Sequence, residues 1–88
     1  VKTSFRASFA RDLKKIGDLR VLEQVRRSIE AVEKATELQE IGGLKKMSGG
    51  GAYYRIRIGD WRVGVAVVGD EVEFVRCLHR RDIYRYFP

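Results

Sequence analysis

Apolar and polar residues change their period along this chain, and the change separates a helical first part from a stranded second part. From Val1 to Ala7 a partial alternation predicts a first strand. Ser8 stands where an N-cap would, and Phe9, Leu13 and Ile16 then recur at helical spacing. Gly17 predicts the end of that helix and Asp18 the cap of the next. In the second helix Val21, Leu22, Val25, Ile29 and Val32 form one apolar stripe, with Glu23–Arg27 and Glu30–Lys34 as i,i+4 pairs on the opposite side. The two helices predict an antiparallel hairpin whose stripes cover one face of a sheet.

The helical pattern fades over residues 38–51 into the glycine-rich segment IGGLKKMSGGG. A connection of that length is either a flexible linker or a functional loop in which Lys45 and Lys46 hold a polyanion. Leu44 and Met47 are its expected anchors to the core. Residues 52–58, 61–68 and 71–78 are rich in β-branched and aromatic side chains and are separated by Gly59-Asp60 and Gly69-Asp70. Each Gly-Asp pair predicts a two-residue hairpin turn, so the three runs predict an antiparallel meander with the first strand joining its edge. The fold class is α+β, a single domain over residues 1–88 in the order β-α-α-β-β-β with a short C-terminal helix or tail.

The turns fix a register. Ile58 faces Trp61, Arg57 faces Arg62, Ile56 faces Val63 and Arg55 faces Gly64. Tyr54, Ile56, Ile58, Trp61, Val63, Val65 and Val67 therefore share the core side, while Arg55, Arg57, Arg62, Gly64 and Ala66 share the other. The same count puts Val75, Cys77 and His79 on the arginine side, with Arg81 following. It also turns Arg76 toward the helices unless a bulge shifts the register. Like charges directly opposite each other cost a fraction of ~1 kcal/mol, and small residues beside them predict a positively charged hollow. An exposed face kept charged for solubility is the competing reading, but that is better served by mixed signs.

Composition sharpens this picture. The chain has 88 residues and a net charge of +6, which suits an anionic partner. Every lysine precedes Ala52, and beyond it the basic residues are arginines plus His79. Guanidinium groups grip phosphate in a bidentate way that ammonium groups cannot. One cysteine, Cys77, allows no internal disulfide, and with one histidine the chain offers too few ligands for an ordinary zinc site. No cofactor and no metal are expected. No run is apolar enough to span a bilayer and no signal-peptide pattern is seen, so a cytoplasmic protein without membrane contact is expected. The tail from Arg80 to Pro88 mixes arginine with Tyr84, Tyr86 and Phe87, a combination that stacks on unpaired bases, although Ile83 and Phe87 can equally pack a short helix onto the sheet.

The run YYRIRIGDWRVGVAV followed by FVRCLHRRDIYRYF resembles the RelE family of bacterial and archaeal toxins. The resemblance implies two helices on a small antiparallel sheet and a ribosome-dependent endoribonuclease that cuts mRNA without a metal, restrained by a cognate antitoxin. It assigns the basic catalytic set to Arg55, Arg57, Arg62 and Arg81, with the phosphate held by Arg57, Arg62 and Arg81. The family's base-stacking tyrosine falls near Phe87, with Tyr84 and Tyr86 close by, and Arg80, Lys45 and Lys46 join as substrate-binding residues. The first two positions are lysines in the familiar pattern and arginines here. Arginine stabilises charge but is a poor general base. The proton acceptor stays open: His79 has the best intrinsic pKa for it but can equally orient the tail's backbone, and Arg55 or a tail tyrosine can also assist. The free toxin is expected to be a monomer. A ParE-like inhibitor of DNA gyrase and a non-catalytic RNA-binding domain are the alternatives.

Overall fold

The structure, a computed structural model, describes residues 1–49 and 51–88, so Gly50 of the glycine-rich connection lies outside the described residues. The chain runs through β1 (Lys2–Phe5), α1 (Ala7–Lys14), α2 (Leu19–Lys34), a 3-10 turn (Leu38–Glu40), β2 (Leu44–Lys46), β3 (Tyr53–Ile58), β4 (Trp61–Val68), β5 (Glu71–His79) and α3 (Ile83–Tyr86). The strands form one sheet in the order β1-β5-β4-β3-β2. The first strand joins the edge of the meander as expected, but it runs parallel to β5, so the sheet is mixed and not wholly antiparallel. Among the described residues no helix is long and apolar enough to cross a membrane.

Local chemistry explains the helices. The Asp18 carboxylate accepts the Arg20 N–H at 2.9 Å and caps α2. Val25 and Val32 of the predicted stripe are fully buried, and Val21, Leu22 and Ile29 pack beside them. Glu30 pairs with Arg26 at 3.0 Å in place of the expected Lys34, because Arg26 forks between Glu23 and Glu30. Ser8 is not a cap. Arg6 takes the cap position of α1, and the Ser8 hydroxyl donates to the Val75 carbonyl of β5 at 2.6 Å. β1 pairs only with the first part of β5, up to Phe74. Beyond that point the open strand edge needs partners, since buried backbone groups must be paired, and α1 supplies them.

The hairpin register is the one predicted from the turns. Arg55 faces Gly64, Arg57 faces Arg62 and Ile58 faces Trp61. Gly59 and Gly69 take φ of 58° and 61°, the left-handed conformation that a two-residue hairpin requires. The register breaks once, in β5: Gly64 faces Arg76 but Val65 faces Phe74. Val75 is thus the extra residue of a β-bulge, and side-chain direction inverts after it. Cys77 and His79 consequently lie opposite Val63 and Trp61, on the helix side and not on the arginine side, while Leu78 takes the arginine side opposite Arg62.

Two cores result. The main one lies between the helices and the sheet, around Val25, Val32, Ile56, Val63, Val65 and Phe74. A smaller one occupies the other face, where Met47, Ile83 and Phe87 pack with Val75 and Leu78. The anchors of the glycine-rich connection split between them: Leu44 joins the main core and Met47 the smaller one. The hollow expected over Gly64 and Ala66 is filled. A Cβ on Gly64 would come within 2.7 Å of the Phe87 ring, and Ala66 is buried. Gly64→Ala should therefore cost about 1–3 kcal/mol by overpacking, and Phe87→Leu in the same chain should recover part of the loss; urea unfolding of both variants measures this.

Candidate active site

Alternation along β3 puts Arg55 and Arg57 on the face away from the helices, and the Gly59-Asp60 turn brings Arg62 of β4 opposite Arg57. β2, which sequence patterning missed because it is three residues in a glycine-rich context, adds Lys45 opposite Arg55. The face thus carries two adjacent cross-strand rows, Lys45–Arg55–Gly64–Arg76 and Arg57–Arg62–Leu78. Among the described residues no carboxylate forms an ion pair with Arg55, Arg57 or Arg62.

Each arginine is held differently. The Arg62 guanidinium donates to the carbonyls of Gly59 at 2.7 Å and Trp61 at 2.9 Å, which fixes it at the turn end of the sheet. Burial, then the positive charges of Arg55 and Arg57, hold its pKa below the ordinary guanidinium range. Arg55 donates through Nη1 to the Gly43 carbonyl at 2.9 Å, while its Nε–H is buried without a partner. Arg57 is exposed.

The tail sorts its aromatic residues. Phe87 is buried against Gly64 and edge-on to Tyr53 at 5.6 Å, so it cannot stack on a base. Tyr84 is exposed beside the arginines. The Arg55 guanidinium beside it, with the charges of Arg62 and Lys45, lowers its pKa from the usual phenol value. Tyr84, Arg55, Lys45, Lys46, Met47 and Ser48 line a hollow of about 160 Å³. Tyr86 opens elsewhere, onto a cleft shared with Lys15, Trp61 and His79, and carries the Arg85 guanidinium 6.0 Å from its ring centre.

His79 and Arg81 do not join the cluster. The bulge turns His79 edge-on to Trp61 at 5.7 Å, and its Nδ1 accepts the backbone N–H of Arg81 at 3.2 Å and the Arg81 Nε–H at 3.3 Å. Arg80 stands closer to the cluster. Its N–H donates to the Asp60 carbonyl at 2.7 Å, its guanidinium lies 3.8 Å from the Asp60 carboxylate, and its charge acts on Arg62. Cys77 is buried, and burial pushes its thiol up to about 12, which keeps it protonated and inert.

The family model described as ParE toxin of type II toxin-antitoxin system, parDE, matches residues 4–84. Toxin RelE3 of Methanocaldococcus jannaschii is 39% identical over 90 residues, covering all of both chains. A chain of the RelB-RelE antitoxin-toxin complex from Methanococcus jannaschii superposes with a TM-score of 0.82 at 36% identity, over 97% of this chain and 99% of that one. A chain of the RelBE2 complex from Mycobacterium tuberculosis superposes with a TM-score of 0.72 at 21% identity, over 90% and 96%, a likeness of fold.

The placement of Tyr84 has a direct consequence. Cations beside a phenol favour its ionised form, so NMR of selectively labelled Tyr84 should show ionisation below the usual phenol range, and Arg55→Ala should move it back upward.

Proposed function

The chain belongs to the RelE/ParE family of toxins of type II toxin–antitoxin systems, and from that premise we propose that it is an endoribonuclease that cuts messenger RNA on the ribosome. The observation that carries this reading is the gathering of Arg55, Arg57 and Arg62, without carboxylate partners, beside the exposed phenol of Tyr84. A gyrase-directed toxin has no evident use for such a set, and a passive RNA-binding module has no use for a phenol set among guanidinium groups.

The reaction is attack of a ribose 2′-oxygen on the adjacent phosphorus. The new O–P bond forms as the P–O5′ bond breaks, leaving a 2′,3′-cyclic phosphate and a 5′-hydroxyl. Arg57 and Arg62 hold the non-bridging oxygens and oppose the negative charge that grows on them, aided by Arg80 at the rim. Preorganised donors of this kind act where charge develops and need no rearrangement during the reaction. Tyr84 in its phenolate form takes the proton from the 2′-hydroxyl, and the departing 5′-oxygen takes one from water. This role passes to Tyr84 from His79 because His79 faces the helix side with Nδ1 already engaged by Arg81. Lys45 and Lys46, beside Arg55, hold a neighbouring phosphate.

The partner is an antitoxin, a reading supported by the RelB-RelE complex whose toxin-sized chain this one resembles, and the basic face calls for an acidic or apolar segment laid over it. The setting is the cytoplasm, where ribosomes are.

With purified protein on programmed ribosomes, Arg57→Ala and Arg62→Ala should each lower the cleavage rate by about 100-fold or more, with the fold retained. Tyr84→Phe should lower it by about 100-fold. The wild-type rate should rise with pH through the lowered pKa of Tyr84 and then level, and Arg55→Ala should shift that rise to higher pH. Near-normal cutting by the arginine variants, or inhibited supercoiling with intact mRNA, contradicts the assignment.

A further inference from the structure

Asp12 is the buried charge among the described residues, with 6% of its surface exposed, and none of the chemistry above uses it. It lies in α1 one turn after Ser8. Its carboxylate accepts the Cys77 N–H at 2.9 Å and two N–H groups of Arg76, at 2.7 Å and 3.2 Å, while Ser8 donates to the Val75 carbonyl. These contacts grip every residue of the bulged stretch Val75–Arg76–Cys77 from its open edge. The bulge decides which side chains beyond it face the arginine cluster, and it leads within three residues to Arg80. Arg76 itself lies in the same cross-strand row as Lys45, Arg55 and Gly64. Asp12 draws its guanidinium over the sheet edge and so keeps a further positive charge off the face.

We propose that Asp12 is a positioning residue for the arginine face: it locks the β5 bulge, sets Arg80 beside Arg62, and holds Arg76 away from the phosphate site. The functional half of this statement rests on the RNA-cleavage reading, and the positional half does not. A carboxylate facing Arg76 and the Cys77 N–H serves both ends at once, since it is a charged partner for the guanidinium and an acceptor for a strand edge that has no neighbouring strand. An amide in its place keeps the acceptor and loses the charge.

The test compares Asp12→Asn, Asp12→Ala and Val32→Ala, the last a main-core variant on α2 that takes no part in the hydrogen bonds to the bulge. Cleavage is measured on programmed ribosomes per folded molecule, and the Nε–H resonance of Arg80 and the Cys77 amide are followed by NMR. Asp12→Asn should lower kcat about threefold and Asp12→Ala about tenfold or more, with KM for the ribosome nearly unchanged, and both should shift the Arg80 signal. Val32→Ala should lower thermal stability and leave kcat per folded molecule and the Arg80 signal in place. If Asp12→Asn leaves kcat and the Arg80 resonance at wild-type values, or if Val32→Ala reproduces its effects, the proposal is overturned. Should wild-type protein cut no RNA, the nuclease reading fails, and the Arg80 resonance still decides whether Asp12 positions it.

Discussion

Guanidinium groups of like charge sit side by side on this sheet because a two-residue turn leaves β3 and β4 no other register. Gly59 takes the left-handed conformation, Ile58 pairs with Trp61, and every residue behind them is then committed to a face. A slip of one position would expose Ile56 and Val63 and bury Arg55 and Arg57, so the main core enforces the arrangement that the charges resist. The opposition of Arg57 and Arg62 costs a fraction of ~1 kcal/mol, and the pKa of Arg62 is lowered by burial first and then by the charges of Arg55 and Arg57. Elsewhere the chain pairs its arginines with carboxylates, as Arg26 does with Glu23 and Glu30 and Arg76 does with Asp12. On this face, among the described residues, no carboxylate pairs with Arg55, Arg57 or Arg62.

The second core shapes how that face is used. Phe87 on Gly64, with Ile83, Met47 and Val75, covers part of the sheet face and leaves Arg55, Arg57 and Arg62 uncovered beside it. The tail is therefore a structural element and a chemical one in the same few residues. Ile83 and Phe87 point inward, and Tyr84 between them points out toward Arg55. Under the proposed function, an extended RNA would cross this face with its phosphates on the arginines and a base near the phenol.

Much of this was legible in the sequence, for identifiable reasons. Gly59-Asp60 and Gly69-Asp70 flanked by β-branched runs fixed the meander, and alternation from those turns placed Arg55, Arg57 and Arg62 together as they are found. The helices followed from apolar spacing and from Asp18. The bulge at Val75 was legible only as an alternative, signalled by an arginine, Arg76, counted onto the helix side; what holds it, Ser8 and Asp12, is distant in sequence. His79 therefore lies on the other side from the one counted, and Arg81 turns with it while Arg80 takes the place beside Arg62. The role of Ser8 was misread for the same reason, since a serine near a helix start satisfies the cap pattern whether or not a strand edge needs its hydroxyl. β2 was too short to announce itself, and Phe87 read as readily for stacking as for packing.

The claim on which the account turns is that these arginines meet RNA phosphates as a group. Its most direct measurement is the salt dependence of binding to a short RNA carrying a 2′-deoxy substitution at the scissile position. Three phosphate contacts predict a slope of about −2 in log affinity against log salt, and Arg62→Ala should flatten it by about 0.7, while Arg26→Ala, whose guanidinium already has carboxylate partners, should leave it unchanged. A slope untouched by Arg62→Ala, or altered as much by Arg26→Ala, would contradict the account.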